Sequence, residues 1–372
     1  MTWEVWSSNI LTGAKGVLLT DVVTRREPQS VLNGYGQGTY EFQVVGSGID
    51  KAEWKNVLLR PRARKIVQCW DGTPLFQGVI LDLEFNWETG RVTVNTVELP
   101  FLAAERLGFT VGNYASGSYS VSNKDLAGLI RAAYSLAFYQ PHGTIPPGPL
   151  WQLPVLFPPD SSGSESRDWP NHMLSTVEEM VEQERDSDQA PDTYFRSVLN
   201  DGGFWWELQL GTPRLSNGVV EFHPNAPESD AQMKTARFDA TNQATGAFVA
   251  GQGAEDLLPV AQVSLADIGL TDADVSIPYA DVVVHHPDES DVGRLSELGK
   301  AFLRANVNPL DEVPFTVKIT DTTPVTQIVP GARAKLHFID DPWMDDGWTE
   351  RYVTGVSVDS DDLITVETSK VS

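Results

Sequence analysis

The sequence contains few residues of the kinds that cross-link chains or bind metals. Cys69 is the only cysteine, so an intrachain disulfide and a cysteine cluster for zinc or iron–sulfur chemistry are excluded. The six histidines are scattered, and His285 and His286 are adjacent, so on a strand their side chains would face opposite sides. We therefore expect no metal and no cofactor, and a fold stabilised by packing or by assembly.

Long apolar runs are also absent. No stretch reaches the roughly 18 consecutive apolar residues that a membrane-spanning helix needs. The first residues do not combine a basic region with an apolar one, the pattern typical of a secretory leader. The sequence therefore predicts a protein that is made in a cytoplasm, remains soluble and has no membrane span.

Positive charge is scarce. The chain has 27 Lys and Arg residues against 51 Asp and Glu residues, a formal net charge of -24. Because proteins bind duplex DNA by neutralising its phosphates with Lys and Arg, tight nucleic-acid binding is not expected. The excess acid either keeps the protein soluble or forms a negative lining past which DNA slides without sticking.

Catalytic motifs are missing as well. The glycines of segment 34–38 lack the spacing of a dinucleotide-binding loop, and no helix is predicted to follow them. A glycosidase needs two carboxylates about 5 to 9 Å apart, but a chain with 51 acidic residues will contain such a pair in almost any fold. We therefore expect that the protein is not an enzyme.

What the sequence does contain is alternation of apolar and polar residues near both ends, the period of a half-buried strand. At 372 residues the chain is long enough for two or three domains. The predicted strands lie at 40–44, 65–70, 78–85, 91–97, 315–319, 334–339, 352–358 and 363–368.

The middle of the chain mixes helices with strands. One helix is predicted after Ser122, with Asp125 as its capping partner, and a second one starts at Ser175, with Glu178 as its partner. A third is predicted near 291–305. The Asn-Asp-Gly-Gly sequence at 200–203 predicts a hairpin turn between two apolar strands.

These patterns together predict a mainly β protein with an α+β insertion. A passage rich in Pro, Gly and Ser at 140–164 is predicted to lack regular structure. The expected domains are a first β-barrel at 1–110, a central α+β domain at 111–235, a linker and helix region at 236–310, and the closing part of a second β-barrel at 311–372.

The two β regions resemble each other, which indicates two related small β-barrels unless two β-meanders match by chance. Such a duplication would let three chains present six equivalent docking surfaces, so that a trimer fits a six-fold tube. The matched residues are Pro61, Ala63 and Arg64 with Pro330, Ala332 and Arg333, and Thr93, Val94 and Thr96 with Thr365, Val366 and Thr368.

Six residues are candidates for contact with other subunits. Trp205 and Trp206 alternate along a strand, so one is expected in the core and the other at a subunit contact. Trp343 and Trp348 belong to an Asp-rich segment that lacks calcium-loop spacing, so we interpret it as a hairpin tip for an interface or a carbohydrate contact. The other two candidates are Arg64 and Arg333, which match in the repeat.

The order of these elements resembles the tail-hub proteins of tailed phages, also called baseplate-hub, minor tail or tail-tip proteins. The resemblance spans nearly the whole chain, and its motifs are architectural. They are the meander at 33–44, the strand at 75–80, the helix at 126–130, the hairpin at 201–207 and the closing segment at 330–333.

The resemblance implies a structural virion protein at the tail tip of a long-tailed phage, a siphovirus. Such a protein forms a homotrimeric ring that joins a six-fold tail tube or distal tail protein to a three-fold tip and gates DNA release. Its implied partners are the tape measure protein and other tail-tip or receptor-binding proteins. The alternative is a carbohydrate-binding or carbohydrate-cleaving tail protein that acts on the host envelope.

Overall fold

The computed structural model describes residues 2–108, 117–139, 152–187, 189–253, 258–287, 289–320, 322–360 and 362–371. The chain divides into two compact units. The first comprises Met1–Val181, Pro191–Thr235 and Val313–Ser372, and the second comprises Glu182–Ala190 and Ala236–Glu312.

The first unit begins with a small antiparallel β-barrel, and its strands occur in the spatial order β2-β1-β5-β6-β7-β4-β3. A short helix, α1 (Lys51–Glu53), and the turn that follows it bury Trp54 among the core side chains of these strands. The strands are β1 (Trp3–Asn9), β2 (Lys15–Leu18), β3 (Val23–Val31), β4 (Gln37–Gln43), β5 (Arg64–Trp70), β6 (Thr73–Asn86) and β7 (Arg91–Val97).

The central region of the first unit packs helices against two small sheets. Strand β10 pairs with β8, and the hairpin β11–β12 is extended by β9, which runs parallel to β12. Its elements are α2 (Pro100–Ala104), β8 (Ser118–Lys124), α3 (Leu126–Phe138), β9 (Val155–Leu156), β10 (Glu165–Pro170), α4 (Val177–Arg185), β11 (Thr193–Asn200) and β12 (Gly203–Leu210).

The hairpin turn was predicted correctly. Asp201 and Gly202 have φ values of 48° and 72°, the left-handed conformation that a two-residue turn between antiparallel strands requires. Of the passage at 140–164, residues 140–151 lie outside the described residues, and the rest forms β9 and connecting segments.

The helix caps differ from the prediction. Ser122 lies in β8, and α3 is capped by Asp125 itself, whose carboxylate accepts a hydrogen bond of 2.7 Å from the Gly128 amide. The cap of α4 pairs Thr176 with Glu179, one residue later than predicted. The predicted partner, Glu178, instead accepts a hydrogen bond from the buried Tyr134 hydroxyl.

Two short strands follow the central region, β13 (Val219–Phe222) and β14 (Ala231–Met233). The second unit then folds as a small α+β layer. Strand β16 pairs antiparallel with β17 and parallel with β18, and α6 packs against β16 and β17. Its elements are β15 (Arg237–Asp239), β16 (Gly246–Ala250), β17 (Val260–Ser264), α5 (Asp272–Val275), β18 (Asp281–His285), α6 (Val292–Asn306) and β19 (Leu310–Glu312).

The second barrel lies in the first unit and is assembled from two separate parts of the chain. Strands β13 and β14 pair with the closing strands, in the order β13-β21-β22-β23-β20-β14. The barrel therefore extends beyond the predicted segment 311–372 and includes residues that the sequence analysis assigned to the central domain. The closing strands are β20 (Phe315–Lys318), β21 (Arg333–Phe338), β22 (Gly347–Ser360) and β23 (Leu363–Lys370).

The two barrels have matching strand orders, with β5, β6, β7, β4 and β3 corresponding to β21, β22, β23, β20 and β14. Their long strands, β6 and β22, also carry a bulge at the same place relative to the repeated Thr-Val-x-Thr sequence. The bulges lie between Ile80 and Asp82, opposite Thr96 and Asn95, and between Val353 and Gly355, opposite Thr368 and Glu367.

This shared bulge fixes the correspondence of the remaining strands. Lys65 lies opposite Val79, and Arg333 lies opposite Tyr352, each one residue before the matching positions Ile80 and Val353. Arg333 therefore corresponds to Lys65, and the matching of Arg64 with Arg333 is wrong by one residue. The outer strands differ too, because β1 runs antiparallel to β5 whereas β13 runs parallel to β21.

Candidate functional site: the junction of the two barrels

The two barrels are joined directly by a β-ladder. Residues Gln29 to Val31 of β3 pair antiparallel with Ser357 to Gly355 of β22. The tip of the β5–β6 hairpin and Trp3 belong to the same apolar cluster as the core of the second barrel. Trp70 and Leu75 in this tip are each 8% exposed. Main-chain hydrogen bonds and a shared core thus join the two barrels.

A buried carboxylate ties both barrels to the central region. Asp192, which is 2% exposed, precedes β11. Its Oδ1 accepts hydrogen bonds from Asn33 of the first barrel (3.0 Å) and from Arg214 (3.1 Å). Its Oδ2 accepts from the hydroxyl of Tyr352 in the second barrel (2.6 Å) and from the Leu215 amide (3.2 Å). Four donors therefore compensate the desolvation of this charge.

The turn between β3 and β4 completes this network. Asn33 has a φ of 57°, in the left-handed region that Asn tolerates better than most residues. In this conformation its main-chain amide donates to the Thr193 carbonyl (2.9 Å) and its side-chain oxygen accepts from the Thr193 amide (2.7 Å). The turn of the first barrel is therefore held against the start of β11.

A second carboxylate, Glu98, lies beside the same ladder. It accepts hydrogen bonds from the Ser30 hydroxyl (2.6 Å) and from the amides of Gly36 (2.7 Å) and Val31 (3.3 Å). Burial raises the pKa of Glu98 to about 7, although these three donors lower it in part. The strand that carries the barrel junction thus depends on a group that titrates near neutral pH.

We predict that stability falls as the pH rises from about 4.5 to about 7. The folded-state pKa of Glu98 lies above the ordinary value of 4.5, so the unfolded chain gives up this proton first and is stabilised relative to the folded chain as the pH rises. The loss attributable to Glu98 amounts to about 3 kcal/mol by pH 8. Urea unfolding at several pH values measures the free energy of unfolding as a function of pH. In Glu98→Gln the part of this pH dependence that comes from Glu98 should vanish.

The hairpin β11–β12 covers the outer face of the first barrel. The ammonium of Lys65, a fully buried residue, donates to the Phe204 carbonyl (2.7 Å) and lies 3.6 Å from the centre of the Trp206 ring. Burial lowers the pKa of Lys65 well below its usual value. In the second barrel the corresponding Arg333 is exposed and pairs with Glu350 at 3.2 Å.

The six predicted interface residues lie in different environments. Trp206 is 1% exposed and belongs to the core, whereas Trp205 is half-buried, and Arg64 is also half-buried. Trp343 and Trp348 lie at or beside the tip of the β21–β22 hairpin and are 71% and 51% exposed. The structure does not bring these residues together into one site.

Aromatic rings cluster beside the second hairpin tip. The rings of His223, His337 and Trp348 pack with centroid distances of 4.8 to 5.3 Å. Within the described part of the chain, no group of three or more His, Cys, Asp or Glu residues is placed to hold a metal ion. The described residues also include no helix long and apolar enough to cross a membrane.

A cavity of about 500 Å³ opens where the barrels meet. Among the described residues that line it there is no Asp or Glu, so these residues do not present the carboxylate pair of a glycosidase. Its lining residues are Thr2, Trp3, Thr20, Val23, Thr24, Arg25, Arg26, Trp70, Ile319 and Thr320.

No family model matches the sequence, and no curated protein matches it significantly. Solved structures do match over the full length. A 43 kDa tail protein of prophage MuSo2 from Shewanella oneidensis is 10% identical with a TM-score of 0.57, and the match covers 99% of this chain and 98% of that one.

Two further structures show the same similarity. A tail protein from Neisseria meningitidis MC58 is 11% identical with a TM-score of 0.55, covering 100% of this chain and 97% of that one. A prophage tail protein from Listeria monocytogenes EGD-e is 9% identical with a TM-score of 0.50, covering 99% and 95%. The chain has the fold of phage tail proteins, as the resemblance implied.

Proposed function

We propose that the protein is a structural component of the tail of a long-tailed phage and that three chains form a hub ring at its distal end. The observation that carries this proposal is the pair of barrels with one strand order and one bulge position, joined side by side in each chain. Three such chains would present six similar barrels, so the ring would have three-fold symmetry and nearly six-fold shape.

This geometry supports a role as an adapter. A pseudo-six-fold face would dock on a six-fold distal tail or tail tube protein, and the three-fold symmetry of the ring would match a three-fold tip. The tape measure protein and other tail-tip or receptor-binding proteins are the further partners we propose. The net charge of -24 would repel DNA from the walls of a central passage, consistent with a gate that DNA passes through without binding.

We further propose that the protein has no catalytic activity. Two buried ionisable groups, Lys65 and Asp192, and the half-buried Glu98 are engaged in hydrogen bonds to neighbouring segments of the fold. Such bonds hold barrels and hairpins together and leave these groups in structural roles.

Light scattering and electron microscopy of the purified chain test the hub. We expect a trimer of about three times 40.9 kDa and ring-shaped particles with three-fold symmetry. Particles assembled without the protein should have unfinished tails. A monomer at all concentrations, combined with normal tails on particles that lack the protein, would overturn the proposal.

The second candidate function is binding or cleavage of host carbohydrate, and the observation that favours it is the exposure of Trp343 and Trp348. Binding on a glycan array, together with turnover of cell-wall material that does not depend on trimer formation, would favour it. Loss of such binding in Trp343→Ala, with no effect on assembly, would assign these residues to glycan contact.

A further inference from the structure

We infer that the contact between neighbouring chains of the ring repeats the contact between the two barrels inside one chain. In this arrangement the β21–β22 hairpin tip of one chain packs on the first barrel of the next chain. This inference rests on the proposed ring, and it names the two surfaces that form its interface.

The hairpin tips of the two barrels provide the first argument. Trp348 lies opposite His337, and the corresponding place in the first barrel, opposite Cys69, is taken by Pro74 and the adjacent bulged residue Leu75. Pro74 and Leu75 are buried, and Leu75 belongs to the apolar cluster that includes the core of the second barrel. Trp348 is 51% exposed. Among the described residues, the second barrel covers the first tip, and no barrel covers the second tip.

The surface that receives the first tip has a counterpart on the first barrel. Ile319 and Thr320 line the cavity beside Trp70 of the first tip. Tyr40 and Phe315 occupy equivalent positions, because they lie opposite the matching residues Val94 and Val366. Counting onward from these two residues, Val44 and Val45 correspond to Ile319 and Thr320. Val45 is 62% exposed, so this apolar counterpart is uncovered.

The strand edge at the junction has a counterpart as well. Strand β22 pairs with β21 as far as Tyr352, and beyond that point its residues Gly355 to Ser357 pair with β3. The equivalent residues after the bulge in β6 are Asp82 to Glu84. The Ile80 carbonyl accepts a hydrogen bond from the Arg62 amide (2.8 Å). Within the described residues, β6 beyond Ile80 pairs only with β7, so the other edge of Asp82 to Glu84 is open to a strand from outside the chain.

The second tip is also built for a larger contact than the first. The first tip is a two-residue turn, Asp71 and Gly72, with φ values of 46° and 77°. The second tip spans 339–346 and adds Ile339 and Trp343, which are 57% and 71% exposed. Large apolar side chains exposed together at one tip mark an interaction surface, and Trp is a frequent anchor in interfaces.

Three surfaces are therefore exposed among the described residues: the tip of the second barrel, Val45 of the first barrel and the outer edge of β6. Their counterparts are covered by the contact between the two barrels. The second tip of each chain is the donor, and Val45 with the open edge of β6 is the acceptor. A contact between unlike surfaces propagates head to tail, and three copies close a ring when the rotation per copy is 120°.

Trp348→Ala and Val45→Asp in the full chain test this interface. We expect each substitution to weaken self-association roughly 30-fold or more, measured by sedimentation velocity over a concentration series. The matched control is Tyr279→Ala, which removes an aromatic ring that is 78% exposed in the second unit. It should leave association unchanged. Circular dichroism and the unfolding midpoint of all three variants should match the unsubstituted chain.

Mixing the two variants tests the head-to-tail polarity. A Val45→Asp chain retains an intact tip and a Trp348→Ala chain retains an intact acceptor, so one good contact forms between them and a closed ring cannot. The mixture should therefore yield dimers where each variant alone yields monomers. If the unsubstituted chain is trimeric and both variants remain trimeric, the inferred interface is wrong while the hub stands. If the unsubstituted chain never associates, the proposed ring itself fails.

Discussion

Replacing Trp206 with alanine is expected to lower the free energy of unfolding by about 4 kcal/mol, because the change removes a fully buried aromatic ring from a packed core. Trp206 is 1% exposed and packs among the side chains of the central region. Its ring also faces the buried ammonium of Lys65 at 3.6 Å. The substitution therefore leaves both a cavity and a buried cation without its aromatic neighbour. Urea unfolding followed by far-ultraviolet circular dichroism measures the loss.

The adjacent tryptophan is the matched control. Trp205 lies on the other face of the same strand and is half-buried, so Trp205→Ala removes the same side chain from a site with less contact area. We expect it to cost at least about 2 kcal/mol less than Trp206→Ala. Equal losses in the two variants would mean that the faces of β12 are assigned incorrectly.

The alternating pattern was sufficient to predict most strands. The runs at 65–70 and 91–97 coincide closely with β5 and β7, because the residue types of both runs alternate with the period of a strand. In the structure β7 alternates in burial, whereas β5 is buried on both faces. The hairpin at 200–203 was predictable because its two central residues must adopt positive φ, which favours Asp-Gly. The third helix, predicted near 291–305, is α6.

The second barrel was harder to delimit from the sequence. Strands β13 and β14 have four and three residues and are separated from β20 by the inserted second unit. Strands this short carry too little periodicity to be recognised, and their pairing with β21 and β20 is non-local. The repeat revealed β21, β22 and β23 because these three strands have 6, 14 and 8 residues and follow one another along the chain.

The buried polar groups of the junction had no local signal. Lys65 opens an alternating run in which a charged residue is expected to face solvent, and only the packing of β12 over this face makes it buried. Asp192 and Glu98 follow or precede strands, as many exposed acids do. Their partners are up to 160 residues away in sequence, so only the assembled fold identifies them.

Two assignments from the sequence differ from the structure by one residue. The cap of α4 and the matching of Arg64 with Arg333 were both assigned from residue types at a fixed spacing. Hydrogen-bond register is decided by which side chains reach the core, and a shift of one residue exchanges the two faces of a strand. The shared bulge in β6 and β22 supplies the register that residue types leave open.

Replacing Asp192 with alanine is expected to destabilise the junction by about 4 kcal/mol, since it leaves several buried donors without an acceptor. The carboxylate joins Asn33 in the first barrel, Tyr352 in the second and Arg214 in the central region. Tyr352→Phe removes one hydrogen bond to a charged group and should cost about 2 kcal/mol. Guanidinium unfolding of each variant measures both losses. Asp21→Ala, at an exposed site, is the control and should stay within about 0.5 kcal/mol.

The double variant shows whether the two residues act as one network. If Asp192 and Tyr352 stabilise the junction through each other, the double variant loses less than the sum of the single losses, by about 1 to 2 kcal/mol. The hydroxyl of Tyr352 also donates to the Leu215 carbonyl at 3.3 Å and accepts from the Leu215 amide at 3.0 Å. Tyr352→Phe should therefore still lower the free energy of unfolding in a chain without the carboxylate.

Strict additivity would mean that the barrels are held by the β3–β22 ladder and the shared apolar core alone. The trimer of the Asp192→Ala chain should then be as stable as that of the unsubstituted chain. If the two losses are coupled, the Asp192→Ala chain holds the angle between its barrels less firmly. Its trimer should then weaken together with its folding stability.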